Sequence, residues 1–441
     1  MKTSSQLKRQ IGIGAAVAVI IGEVIAVGIF LTPADMAKLL GSPFWILVVW
    51  LSMGAMALSG ALCYGELAAR YPEAGGGYVY LREAYGPMPA FLYGWMALLV
   101  MDPGITAALA SGLASYAGYA SNLSALGTKL IAVAAILIIA AINIVGVRLS
   151  AGLLRGLAFL KIGLLAMIAA WGFLFAPGDW SNFTPFVDQR EGSAPLAIAL
   201  AGGTVSAFFS FGGWWDLNKI AGEIRDPART LPRALTLGVI SVTAVYVLTS
   251  AVFLYLVPIE RVASGETFAA QAGEVLFGKS GGVIFAAIVI IAVLGSLAAV
   301  IMTAPRVYYA MARDGLFFAS TAKVDDRFGT PARAIILQAS LASLLVLSGT
   351  FDQIVGYFVF VVVIFLALTV AALFVLRRKD RSVPEYVTPG YTMTPLIFIT
   401  LVFGLLILLG GNRPVQSLLG VAVVALGAPV YFLIFRKRRD G

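Results

Sequence analysis

Gly22-Glu23-Val24-Ile25-Ala26-Val27-Gly28-Ile29-Phe30, with Pro33 just beyond, sits inside the first long apolar stretch of a 441-residue chain. A carboxylate and two glycines interrupt what is otherwise membrane-spanning sequence. An ionisable group at mid-bilayer costs at least about 2.5–3.5 kcal/mol on insertion scales, so it needs a reason to be there. Irregular backbone at that depth is tolerated where it lines a protein cavity rather than lipid. A second such stretch follows: Gly202-Gly203, then Ser210-Phe211-Gly212-Gly213-Trp214-Trp215-Asp216. Paired interruptions five spans apart predict an inverted repeat that binds a solute where the two broken helices meet. The competing reading is two ordinary kinked helices, since glycine is common in spanning segments.

The rest of the chain agrees with a membrane setting. Of its residues 60% are apolar and 12% charged, with a mean hydropathy of +0.94. Soluble domains run at roughly 45–50% and about 25%, so a soluble enzyme, a coiled coil and a disordered chain are excluded. A bilayer core needs about 20 apolar residues per helix. Windows of that kind fall near 11–40, 44–69, 89–119, 129–147, 157–176, 195–221, 234–257, 281–305, 332–349, 354–376, 394–411 and 415–435. The expected fold is therefore an all-α polytopic membrane protein of about twelve spans. A cleaved signal peptide fits the start less well than an uncleaved first span, because the apolar stretch from Ile11 is long and lacks a small-residue cleavage site.

The net charge of +9 comes in short bursts between apolar runs: Lys2, Lys8 and Arg9; Arg377, Arg378, Lys379 and Arg381; Arg436 to Arg439. That is the pattern of loops under the positive-inside rule, and it predicts cytoplasmic termini and no nucleic-acid partner. Histidine is absent and Cys63 is the single cysteine, so no disulfide forms within the chain and no metal site is expected. Proton handling falls to carboxylates, lysine or tyrosine. No phosphate-binding loop of Walker type is present, and no cofactor is expected.

Four segments, in order, resemble the amino acid–polyamine–organocation superfamily, and within it the L-type amino acid transporters and amino acid permeases. They are Val27-Gly28-Ile29-Phe30-Leu31-Thr32-Pro33; Tyr64-Gly65-Glu66-Leu67 with Tyr71-Pro72-Glu73-Ala74-Gly75-Gly76-Gly77-Tyr78; Phe209-Ser210-Phe211-Gly212-Gly213-Trp214 running to Gly222-Glu223-Ile224-Arg225-Asp226-Pro227; and Pro305-Arg306 with Met311-Ala312-Arg313-Asp314-Gly315. The resemblance implies a leucine-transporter-type fold: five plus five inverted spans and two C-terminal helices, working by alternating access without covalent chemistry. It divides the chain into a cytoplasmic N-terminus (1–10), a first repeat (11–176), a second repeat (177–376), two further spans (377–435) and a basic tail (436–441). Eukaryotic L-type relatives have a disulfide-linked partner. Cys63 lies within the second span and is a poor anchor for one, so no obligate partner chain is expected.

In the family, backbone amides of a Gly-Ser-Gly break hold the substrate carboxylate, and carbonyls of the first and sixth helices hold its amine. Half-helix ends suit a zwitterion, since unpaired N–H and C=O groups carry opposite partial charges. The matching positions here are Ala26, Val27 and Gly28, so the first glycine and the serine are replaced. The substrate-binding candidates are Glu23, Ile25, Ala26, Val27, Gly28, Asp102, Phe209, Phe211, Gly212 and Trp214, with Phe209 or Trp214 as an aromatic gate. Lys161 matches a lysine that replaces the second sodium ion in sodium-independent relatives, and its deprotonation would couple transport to a proton gradient; the alternative is snorkelling to the surface. Glu23 has three open readings: a proton or ion-pair role with Lys161, contact with a substrate amine, or exposure to water. Asp102 either lines the cavity or bonds backbone freed by Pro103. Asp216 and Lys219, at i and i+3, read as a structural pair. Glu66, Arg70, Glu223, Arg306 and Asp314 are candidates for ion pairs that open and close during a cycle.

Together these readings predict a sodium-independent amino acid transporter of the plasma membrane, proton-coupled or exchanging. The alternative is a carrier of polyamines or other organic amines, favoured by Glu23 and Asp102. A channel or a sensor on this fold is disfavoured, for want of a repeated filter motif or a soluble signalling domain.

Overall fold

The computed structural model describes residues 7–121, 123–262, 268–348, 351–412 and 414–436. Lys2 and the basic tail beyond Arg436 lie outside the described residues. The chain opens with α1 (Ile13–Val24), α2 (Gly28–Leu40), α3 (Pro43–Arg70), α4 (Gly77–Tyr85), α5 (Pro87–Met96), α6 (Asp102–Ser121), α7 (Ala125–Val145) and α8 (Val147–Leu174). It continues with α9 (Leu196–Phe211), α10 (Pro227–Leu256), α11 (Ile259–Val262), α12 (Phe268–Phe277), α13 (Gly281–Thr303) and α14 (Pro305–Arg313). Last come α15 (Ala332–Ser348), α16 (Phe351–Lys379), α17 (Met393–Asn412), α18 (Pro414–Ala425) and α19 (Gly427–Val430).

Helices dominate because lipid offers backbone groups no partner, so each span must satisfy them internally. Proline opens α3, α5, α10 and α14 within the first turn, where its missing N–H costs nothing. Among the described residues ten helices are long and apolar enough to span a membrane. The α1–α2 pair, bent by 44°, forms an eleventh span, and the shorter apolar helix α15 fills the remaining expected window. This is an all-α polytopic membrane protein.

Burial separates centre from rim. The spans α5–α6 and α13–α14 are 72% buried in their apolar windows, whereas α7 is 22% and α17 28% buried. The first span packs against α8, α10 and α13, and α2 packs along α9. One expectation is corrected here. Gly202-Gly203 is not a break: α9 runs through it, and the two glycines let Leu39 and Leu40 of α2 approach, with an added Cβ meeting their side chains at 3.0 and 3.2 Å. The interruption is confined to Gly212-Gly213, after which the chain winds as a tighter 3₁₀ helix, Trp214–Glu223.

Candidate functional site

The first helix stops at Val24 because the chain unwinds over residues 25–27 before α2 begins. The break leaves polar groups on both sides. The amides of Val27, Gly28 and Ile29 have no backbone acceptor among the described residues. Opposite them α9 ends at Phe211, and Gly213 turns with φ +109, a left-handed conformation that favours glycine. An added Cβ at Gly213 would lie 3.0 Å from Cβ of Glu23, and one at Gly28 would lie 2.5 Å from Oγ of Ser210. The two breaks therefore touch. Tyr246 of α10 ties them together, its hydroxyl 2.7 Å from both the Val24 and Ser210 carbonyls, and Thr32 and Ser210 share a 2.7 Å hydrogen bond.

Between the breaks lies a cavity with about 30 Å³ of room for water centres. It is lined from α1, the first break, α2, α6 and the second break: Glu23, Ala26, Val27, Gly28, Phe209 and Gly212 all contribute, with Ser210 the other polar side chain. A water needs at least ~10–15 Å³ by this measure, so the space suits a water or two and is too small for an amino acid. A solute can enter only if the surrounding helices separate.

Four of the proposed binding residues lie elsewhere. Ile25 is wholly buried and absent from the cavity wall, and its carbonyl accepts from Ser296 and Lys161. Phe211 packs against Trp50 and Tyr246, and Trp214 against Tyr64, Trp215 and Phe398. Asp102 follows a π-helical turn, Ala97–Met101, and its fully buried carboxylate is held by two side chains. Lys219 Nζ lies 2.8 Å from Oδ1, and the Tyr308 hydroxyl donates to Oδ2 at 2.9 Å. The same ammonium reaches Asp216 Oδ1 at 2.9 Å, aligned as an ion pair rather than a hydrogen bond. The pair read from sequence spacing is thus one side of a buried Asp102–Lys219–Asp216 bridge between the third span and the second break.

Lys161 does not snorkel. It is 1% exposed, and its ammonium donates to the Gly22 carbonyl at 3.1 Å, to the Ile25 carbonyl, and to Ser296 Oγ at 3.2 Å. It takes up carbonyls that unwinding sets free at the end of α1 and pins them to α8 and α13. Glu23 forms no ion pair with it. Instead Thr303 donates to Oε1 of Glu23 at 2.7 Å, while Oε2 is buried with no hydrogen-bond partner among the described residues.

Sequence reasoning passed over Thr303, Ser296, Tyr246 and Tyr308. Ser296, beside Gly295 in an apolar run, carried a weak signal; the tyrosines had none that separates them from packing residues.

One face is sealed by buried ion pairs. Arg306 meets Glu223 at 2.7 Å with both side chains 1% exposed, and Glu66 holds Arg377 and Arg70. Arg82 meets Asp314 at 2.5 Å, a contact that holds its guanidinium charged well beyond the ordinary arginine range despite burial. The segment before α1 is stapled to the same face: Gln10 and Ile11 amides donate to the Glu223 carbonyl, and Arg225 donates back to Ile11. Among the described residues no group of acidic, cysteine or histidine side chains could hold a metal.

A family model described as "Amino acid permease" matches residues 11–429. The serine/threonine exchanger SteT of Bacillus subtilis (strain 168) is 31% identical, over 98% of both chains. The b(0,+)-type amino acid transporter 1 of Mus musculus is 30% identical over 99% of this chain and 89% of its own. The human cystine/glutamate transporter is 27% identical over 97% of this chain and 85% of its own.

Proposed function

Since the chain belongs to the amino acid permease family, we propose that it carries amino acids across the plasma membrane by alternating access, without sodium and without covalent chemistry. The observation that carries this reading is the pair of facing breaks. Free amides at Val27, Gly28 and Ile29 offer donors for a carboxylate. The Glu23 carboxyl offers an acceptor for an amine, with Phe209 and Gly212 closing the other wall. Lys161 supports sodium independence: its ammonium already occupies a ring of oxygens from Gly22, Ile25 and Ser296.

The cycle then follows from the arrangement. The cavity is closed toward the basic face by Glu223–Arg306 and the Glu66 cluster. Substrate entry requires α2 and α9 to part, and release requires the ion pairs to open. Residues 11–176 and 177–376 are assigned as the two inverted repeats, with the basic face and both termini in the cytoplasm. The printed activity of one relative, the serine/threonine exchanger SteT, favours exchange of internal for external amino acid. The chain is assigned no obligate partner.

Reconstitution into liposomes tests this. External labelled amino acid should enter vesicles preloaded with unlabelled amino acid, equally in sodium and potassium salts. Sodium-stimulated entry would refute the role given to Lys161. Carriage of organic amines is the second reading, favoured by the unpartnered Oε2 of Glu23 in the cavity wall. A diamine that exchanges faster than any amino acid would establish it.

A further inference from the structure

Glu23 is 4% exposed, lines the cavity and leaves Oε2 without a hydrogen-bond partner among the described residues. Its neighbourhood fixes what it can be. Asp102 of α6 and Asp216 after the second break face it, together with Lys219 between them. From α8 comes Lys161, bound only to neutral oxygens. α10 presents the Tyr246 phenol, α13 and α14 present Thr303 and Tyr308, and Tyr93 of α5 faces the aspartates. Glu223 and Arg306, further along, neutralise each other.

Leaving Glu23 aside, two carboxylates stand against two ammoniums, and the site is neutral. An ionised Glu23 would add one uncompensated buried charge beside a space that holds at most a water or two, an arrangement proteins avoid by neutralising the group. The hydroxyl of Thr303 fits a neutral carboxyl. It donates to Oε1 at 2.7 Å, which leaves Oε2, facing no partner among the described residues, as the oxygen that carries the proton.

We infer that Glu23 is a single site shared between a proton and the additional cationic group of a cationic substrate, the one a zwitterion lacks, holding one or the other. The inference rests on the substrate reading above and deepens it. When a cationic amino acid or amine enters, its additional cationic group approaches Oε2, the O–H bond of the carboxyl breaks, and the proton leaves to water along the entry path. The charge of the site is unchanged. A neutral amino acid brings no net charge, so Glu23 keeps its proton. Cationic substrates are therefore exchanged against a proton, and zwitterions are not.

The purified protein in detergent, in weakly buffered solution with a pH indicator, tests this directly. L-Arginine should release one proton per molecule bound, and L-alanine none. Apparent affinity for arginine should rise about tenfold per pH unit while Glu23 is protonated, by linkage, and affinity for alanine should not change. Glu23→Gln should abolish both the release and the slope. The wild-type measurements stand even if that variant does not fold. Arginine binding without proton release overturns the inference, as does alanine binding with no arginine binding from acid to alkaline solution. If neither amino acid binds, the substrate reading itself falls, and the alanine arm separates the two failures.

Discussion

At the scale of single residues, the two buried lysines do different work, and their partners show why. Lys219 is an ion-pair centre: Asp102 and Asp216 hold it from two elements. Removing one member of a buried pair strands the other and costs roughly 3–5 kcal/mol, while replacing both together is often far milder. Lys219→Met strands both aspartates and should lower the melting temperature in detergent sharply, whereas Asp102→Asn leaves Lys219 paired with Asp216 and should cost less. Neutralising all three together, Asp102→Asn with Asp216→Asn and Lys219→Met, should recover much of the Lys219→Met loss, with a coupling of about 0.5–3 kcal/mol; additive losses would show that the bridge is not a unit. Lys161 has no carboxylate, only carbonyls and a hydroxyl. Hydrogen bonds to a charged group are worth about 1.5–3 kcal/mol, so Lys161→Met should loosen the end of α1 and cut exchange about tenfold or more, each 1.4 kcal/mol being a factor of ten. Exchange at the wild-type rate would contradict the assignment. The sequence made both lysines conspicuous, because a charge in a span needs a cause. It could not assign partners: Asp102 and Lys219 are distant in the chain, and only packing of the third span against the second break brings them together.

At the scale of elements, the two breaks fit because of what is missing between them. Gly28 faces Ser210 so closely that a methyl group would sit 2.5 Å from its hydroxyl oxygen and 2.9 Å from its Cβ. Gly28→Val must push α2 away from α9 and break the Thr32–Ser210 hydrogen bond. Overpacking of this kind costs about 1–3 kcal/mol, so the variant should melt lower and exchange slowly; unchanged exchange would mean the helices do not approach as described. The first break was legible because Glu23 and two glycines within a few residues have no place in a lipid-facing helix. Gly202-Gly203 was misread for an instructive reason. Glycine serves a helix break and a close helix contact equally well, and sequence does not separate the two uses. The aromatic run after Phe208 carries the same ambiguity. Phe209 faces the cavity, while Phe211 and Trp214, on the same short stretch, turn into packing with other rings.

At the scale of the whole molecule, the spans and their order followed from hydropathy alone, since lipid thickness sets helix length. The state of the molecule did not, because it depends on which ends meet. Here the basic face is the thick barrier: the segment before α1 is bonded to residues 223–225, and Glu223 and Arg306 close beneath it. The opposite side is held around Gly41 and Arg190, where Arg190 bonds the Gly41 carbonyl and pairs with Glu260. A carrier that exchanges must populate the reverse arrangement too, so the barrier is a balance rather than a fixture. Glu223→Gln leaves Arg306 buried without its counter-ion and should shift that balance toward opening at the basic face. Ala26, half-buried in the cavity wall, is the place to observe it. In a Cys63→Ser background, Ala26→Cys should react slowly with a membrane-impermeant maleimide supplied at the basic face. Adding Glu223→Gln should speed that reaction several-fold, and saturating substrate, by filling the site, should slow it again. Equal labelling with and without Glu223→Gln would show that the Glu223–Arg306 pair holds the fold but not the gate.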